Sequence, residues 1–167
     1  MISNSARVFD LKRTSLQAAL ENKPYTCFLA TDTPLPMMYM PDCLRATWEL
    51  MTAPREKLNR TTYNLTAMSF TPTDLEKCIT SKLPNFKVSY SPDFRQDIAK
   101  TWPASIDDSI AQREWGWKPQ YDLKGMTDDM LHQLALKAER KVALTGKHGE
   151  GVTVESVANI LALKATA

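Results

Sequence analysis

The sequence predicts a small α/β fold in which short strands each feed a helix. Three observations carry that prediction. Apolar runs of four or five residues alternate with stretches whose apolar positions recur at helical spacing. Proline, threonine and aspartate mark the boundaries between them. A length of 167 residues, 43% of them hydrophobic, suits one domain with a real core, or one domain with an appendage.

The elements follow in order. Residues 14–22 read as a short helix, with Leu16, Ala19 and Leu20 on one side and Pro24 ending it. Residues 25–29 form a compact apolar strand. Thr31-Asp32-Thr33-Pro34 is a loop by its turn residues. Residues 37–40 make a second short strand. Pro41-Asp42 then opens a helix to about Met51, with Asp42 as its cap, Leu44, Trp48 and Met51 as its apolar face, and Pro54 closing the unit.

Residues 62–65 are a third strand candidate. Thr71-Pro72-Thr73-Asp74 is a strong helix start, since threonine caps, proline suits the first turn and an acid follows three residues after the cap. Leu75, Cys78 and Ile79 supply the buried stripe of that helix. Residues 86–90 alternate apolar and polar, the period of a half-buried strand. Residues 94–100 form a short helix before Trp102-Pro103. Asp107 or Asp108 caps another helix that Gly116 terminates, and Trp117-Lys118-Pro119 follows as an ordered loop. Thr127 starts a longer helix to about Ala143. Residues 145–151 are a glycine-rich linker, and residues 153–165 a final amphipathic helix with Val154, Val157, Ile160 and Leu161 aligned.

Composition excludes several functions. A net charge of +2, with lysine and arginine scattered among acids, argues against nucleic acid and against a membrane surface. No apolar stretch reaches the roughly 18 residues a membrane span needs. The N-terminal residues are basic but lack an apolar core, so secretion is not expected. Cys27, Cys43 and Cys78 are odd in number and widely spaced, which suggests buried free thiols and neither disulfides nor a metal site.

A catalytic constellation is hard to assemble. His132 falls inside a predicted helix and His148 in the linker, so neither reads as a catalytic base. Asp107-Asp108 could do acid–base work, but helix capping explains the pair more simply. The run from Gly146 to Gly151 follows a helix instead of a strand and lacks Gly-Lys-Ser/Thr, so it is not a phosphate loop. Of the five glycines, four lie after residue 120, and none opens a dinucleotide turn.

Particular segments take the reading further. Leu35-Pro36-Met37-Met38-Tyr39, Tyr63-Asn64-Leu65-Thr66-Ala67-Met68-Ser69-Phe70, Phe94-Arg95-Gln96-Asp97-Ile98-Ala99, Trp102-Pro103, and Ser105 through Trp117 occur in that order. Together they resemble the later part of the NAD-dependent L-threonine 3-dehydrogenases, members of the extended short-chain dehydrogenase and epimerase/dehydratase superfamily. The resemblance runs from about Ala18 to Leu131. It implies the C-terminal, substrate-binding lobe of an α/β enzyme without its N-terminal Rossmann domain. Its implied boundaries are a non-family leader over residues 1–15, a substrate lobe over 16–134, and a helical tail over 135–167.

In that family a glycine-rich turn binds NAD, and a Ser/Thr–Tyr–Lys set removes the hydroxyl proton of threonine. Neither feature occurs in this sequence, so no catalytic, cofactor-binding or metal-binding residue is expected. NAD is the cofactor of the full-length family and is not expected to bind this chain alone. The family also contacts threonine through a Thr-Asp-Tyr segment, where Asp10 stands between Phe9 and Leu11. The resemblance places Pro36, Met37 and Met38 on the substrate pocket, with Trp102 helping to close it. Sugar-nucleotide epimerases commonly hold a phosphate or sugar with an arginine where Met38 stands, so a small amino acid fits better.

The reading is thus a fragment of an oxidoreductase that converts L-threonine to 2-amino-3-oxobutyrate, inactive by itself. The alternatives are a sugar-nucleotide epimerase or dehydratase fragment, and a non-catalytic interaction module. Expected partners are L-threonine and either a second copy of the chain or a separately encoded N-terminal half. By resemblance the location is mitochondrial in a eukaryote and cytoplasmic in a bacterium. Without a Rossmann lobe, residues 37–39 and the helix over 42–51 lose cover, so the chain should self-associate or fold its last helix across that face.

Overall fold

The computed structural model describes residues 11–145 together with Val157, Ala158 and Ile160. It shows a mixed α/β arrangement. Helix α1 (Leu11–Leu20) leads to strand β1 (Tyr25–Cys27), then β2 (Leu35–Met37) and helix α2 (Met40–Thr52). A single 3-10 turn (Arg55–Lys57) precedes β3 (Met68–Phe70) and α3 (Pro72–Thr80). Strand β4 (Val88–Tyr90), α4 (Phe94–Lys100), α5 (Ser109–Trp115) and the long α6 (Leu123–Thr145) complete the order.

The strands form two separate pairs. β1 and β4 run parallel, with Thr26 beside Ser89. β2 and β3 run antiparallel, with Pro36 opposite Ser69 and Met37 opposite Met68. Helices close over both. The main core joins Leu11, Leu16 and Leu20 of α1, Leu35 and Met37 of β2, Leu75 and Ile79 of α3, and Met126, Leu131 and Ala135 of α6. Val157 and Ile160 are buried in the same core. A smaller cluster gathers Ala46, Ala111 and the fully buried Trp117, with Met38, Tyr63, Leu65 and Trp115 packed against it.

Local chemistry explains most boundaries. α1 ends at Leu20, and Asn22, at φ 52°, turns the chain in the left-handed region that asparagine tolerates. The start of α3 is a full capping box: Thr71 Oγ1 accepts the Asp74 N–H at 3.2 Å, and Asp74 accepts the Thr71 N–H at 3.0 Å. The predicted helix over residues 94–100 is found at those residues, capped by Asp93. Gly116, at φ 80°, ends α5.

Other boundaries differ from the sequence expectation. The strand expected over 37–40 lies at Leu35–Met37, because Pro41 suits the first turn of a helix and the chain is already helical at Met40. Residues 62–65 form no strand. β2 takes its partner from Met68–Phe70, while Tyr63 and Leu65 pack their side chains against the Trp117 cluster. α6 starts at Leu123, not Thr127, because Asp122 Oδ1 accepts the Gly125 N–H at 2.7 Å and caps it there. Thr127, buried at 1% exposure, instead donates its hydroxyl to the Leu123 carbonyl.

Helix α2 carries a larger surprise. Asp42 is not its cap; Tyr39 is, and without a side-chain bond. The buried positions of α2 are Asp42 and Ala46, and the predicted apolar face points outward. Leu44 is 65% exposed, Trp48 67% and Met51 76%. The linker over residues 145–151 and most of the final helix fall outside the described residues. The described part of that helix, Val157 and Ile160, shares the main core with Met37 and leaves the outer face of α2 open.

Candidate functional site

The alternation of strand β2 splits the predicted pocket segment. Leu35 and Met37 face the main core, Met37 at 5% exposure. Pro36 and Met38 are half-buried on the opposite side, with Met38 against the Trp117 cluster. Met38 and Pro36 are therefore the members of the segment with surface to offer. Met37 backs them from behind.

The second predicted region meets the first through one hydroxyl. Ser69 lies opposite Pro36 in the β2–β3 pair and donates its Oγ–H to the carbonyl of Ala104. Trp102, two residues before Ala104, is half-buried with its ring packed on the main core. Pro36 and the Trp102–Ala104 turn are thus tied by Ser69, although 66 positions separate Pro36 from Trp102 in the numbering. Sequence reasoning quoted Ser69 in a motif without giving it this part. A serine on an exposed strand position offers no signal that its partner lies in a distant loop.

Lys12 is a second residue that sequence reasoning missed. Its ammonium donates to the Met38 carbonyl at 3.4 Å and lies 4.0 Å from the Met126 sulfur. Burial pushes its pKa below the ordinary lysine value. Among the described residues no carboxylate pairs with it, so a partly buried positive charge stands directly behind the predicted pocket segment. Such charges are normally paired or solvated.

A network anchored on Asp42 holds the other end of the segment. Its carboxylate, 0% exposed, accepts the N–H groups of Gln120 and Tyr121 at 3.0 Å and the guanidinium of Arg45 at 2.9 Å. Arg45 lies over the Trp117 ring at 4.6 Å and donates to the Lys118 carbonyl. The loop after α5 is thereby clamped onto α2, just past Met38.

Tyr39 adjoins the segment and carries an ionisable phenol. Its hydroxyl donates to Asp129 Oδ2 at 2.9 Å, and its ring meets Tyr121 edge-on at 5.0 Å. Burial, then the Asp129 carboxylate, raise its pKa far above the ordinary tyrosine value. A phenol held this firmly in its protonated form is not a base. Asp107 accepts the Ser109 N–H and Asp108 accepts from Gln112, so that acidic pair shapes the entry to α5. His132 is half-buried within α6, and His148 lies outside the described residues.

The fit of a dinucleotide is tested by the glycines. Its pyrophosphate needs a tight glycine turn between a strand and the N-terminus of a helix. Among the described residues, Gly116 ends α5 and Gly125 sits inside α6, so no such cradle exists among them. The described residues do not fit that group. Among them there is also no cluster of three or more histidines, cysteines or acids able to hold a metal.

No family model matches the chain. Individual relatives do. The mitochondrial L-threonine 3-dehydrogenase of Sus scrofa is 48% identical over 117 residues, 70% of this chain and 31% of that protein. An uncharacterised epimerase/dehydratase of Staphylococcus haemolyticus is 43% identical over 125 residues, 74% of this chain and 39% of that protein. Among solved structures, the GalE-like L-threonine dehydrogenase of Cupriavidus necator superposes with a TM-score of 0.72 at 53% identity, covering 75% of this chain and 46% of that one. The chain spans between about a third and a half of the length of these relatives.

Proposed function

We propose that this chain, a homologue of the L-threonine 3-dehydrogenases over about three quarters of its length, is the substrate-side lobe of an oxidoreductase acting on L-threonine. The observation that carries the reading is the identity of 48–53% to proteins of that name, from a mammalian mitochondrion and from a bacterium. Pro36, Met38 and Trp102 form the wall against which the amino acid rests, with Met37 as its buried backing. Residues 16–134 are the body of the lobe, and the flanking segments 1–15 and 135–167 contribute Leu11, Ala135, Val157 and Ile160 to its core.

Chemistry supports the substrate class. A sugar nucleotide brings a diphosphate, which proteins hold with arginines or with several N–H donors. The thioether of Met38 offers neither, while its shape suits a small amino acid. Lys12, behind the segment, already spends its ammonium on the Met38 carbonyl, and Arg45 is committed to Asp42 and Glu49. In the oxidation, the C3 alcohol of threonine becomes a ketone, its hydroxyl proton going to a base and its C3 hydride to the nicotinamide cofactor of the whole enzyme. No described tyrosine–lysine pair is placed to take that proton. The work of this lobe is therefore to bind and orient threonine and to exclude water.

NAD belongs to the whole enzyme, and this chain alone neither binds it tightly nor reduces it. No described helix is long and apolar enough to cross a membrane, and a mitochondrial site fits a eukaryotic source. The test is direct. Pure chain incubated with L-threonine and NAD is expected to form no NADH, and calorimetry with NAD to give no saturable heat. NADH production by the chain alone, or micromolar NAD binding, would overturn the assignment of catalysis to another part of the enzyme.

A further inference from the structure

Strand pairing puts a hydroxyl on the proposed substrate wall. Residues directly opposite in an antiparallel pair show their side chains on the same face. Ser69 is opposite Pro36, so its hydroxyl shares a face with the Pro36 ring. The other face is apolar and turned to the core, where Leu35, Met37 and Phe70 are buried. Ser69 is exposed beside the half-buried Pro36 and Met38. Two apolar side chains thus stand next to a polar group that water, or a ligand, can reach.

What that group can do follows from its single proton. A serine hydroxyl has one donor and two acceptor lone pairs. The proton of Ser69 is already given to the Ala104 carbonyl. Only acceptor capacity is left, and a hydroxyl that donates to a carbonyl becomes a stronger acceptor. The Ala104 carbonyl belongs to an exposed residue, and a backbone oxygen has a second lone pair beyond the one Ser69 uses. Two acceptors side by side against an apolar surface suit a ligand with several N–H donors on a short aliphatic chain. They repel a phosphate, which brings only oxygens of its own.

We infer that Ser69 Oγ, with the Ala104 carbonyl, is the acceptor that takes the α-ammonium of the amino acid resting on Pro36 and Met38. The inference rests on the functional reading above and adds what selects an amino acid over a simple hydroxy acid. Ser69 is then a specificity-determining residue as well as the tie between β3 and the Trp102–Ala104 turn.

The experiment titrates the 167-residue chain with L-threonine and with (R)-3-hydroxybutyrate. The second compound keeps the hydroxyl, methyl and carboxylate of threonine and lacks the ammonium. Binding is read by ligand-observed NMR, and a melting temperature is taken for each variant. Wild-type chain is expected to prefer L-threonine by about tenfold. Ser69→Ala should lose that preference by weakening threonine alone, with an unchanged melting temperature because the side chain is exposed. Ser69→Thr should keep the preference, and Ser69→Val, equal to it in shape, should lose it. An equal preference in wild type and in the alanine and valine variants overturns the inference. So do variants that lose both ligands alike, since Ser69 would then only hold the Ala104 turn. A wild-type chain that binds no L-threonine sinks the functional reading together with the inference. Threonine binding without any dependence on Ser69 leaves that reading standing.

Discussion

The carboxylate of Asp42, in the first turn of α2, accepts the backbone N–H of Tyr121 at 3.0 Å across 79 positions of sequence. The same group takes the Gln120 N–H and the Arg45 guanidinium. Replacing Asp42 by alanine removes all three acceptor contacts at a site shut off from water. Two N–H groups lose their acceptor, and Arg45 keeps only Glu49 and the Lys118 carbonyl. Breaking a buried pair in this way costs roughly 2–4 kcal/mol. Urea unfolding of Asp42→Ala should show that loss, and a change below about 0.5 kcal/mol would show that water replaces the carboxylate freely.

The α3 capping box gives a smaller, cleaner expectation. Thr71→Ala deletes the acceptor of the Asp74 N–H and the reciprocal arrangement around it. The expected cost is about 1 kcal/mol, seen as a lower denaturation midpoint without a changed slope. Thr71→Ser should recover most of it, because the hydroxyl is what caps.

Lys12 makes stability depend on alkaline pH. Its pKa is lower in the folded protein than in the unfolded chain, through burial. Below the folded pKa both states hold the proton, and the full penalty of burying the charge is present. As pH rises from the folded pKa towards the ordinary value of 10.5, the unfolded chain binds more protons, so stability rises. Lys12→Met should therefore stabilise the protein at neutral pH, and its advantage should shrink at alkaline pH. Chemical unfolding at pH 7 and at pH near 10 checks this, and an advantage that stays constant or grows would contradict it.

What the sequence could reveal was set by distance along the chain. The capping box of α3, the α4 helix and the Gly116 stop were legible because donor and acceptor lie within a few residues. Asp42 was misread as a cap because its three acceptor contacts include two backbone groups almost half the chain away. The stripe of α2 was correctly seen as apolar, but periodicity cannot say which face turns inward. Here a buried ion pair took the inner side. The proposed pocket segment was named only through resemblance, and its link to Trp102 through Ser69 depends on strand pairing that periodicity cannot supply. Residues 62–65 looked like a strand because they are rich in β-forming types, yet the ladder formed three residues further on.

The claim that this chain is a threonine-binding lobe stands or falls on substrate choice in a reconstituted enzyme. The measurement is NADH formation by the chain paired with the nucleotide-binding portion of a homologous threonine dehydrogenase, supplied in turn with L-threonine and with a UDP-sugar. The account predicts turnover that depends on L-threonine, a roughly tenfold or greater loss when Met38→Arg fills the wall with charge, and no change in the UDP-sugar. A paired enzyme that ignores L-threonine, or that converts the UDP-sugar, would contradict it.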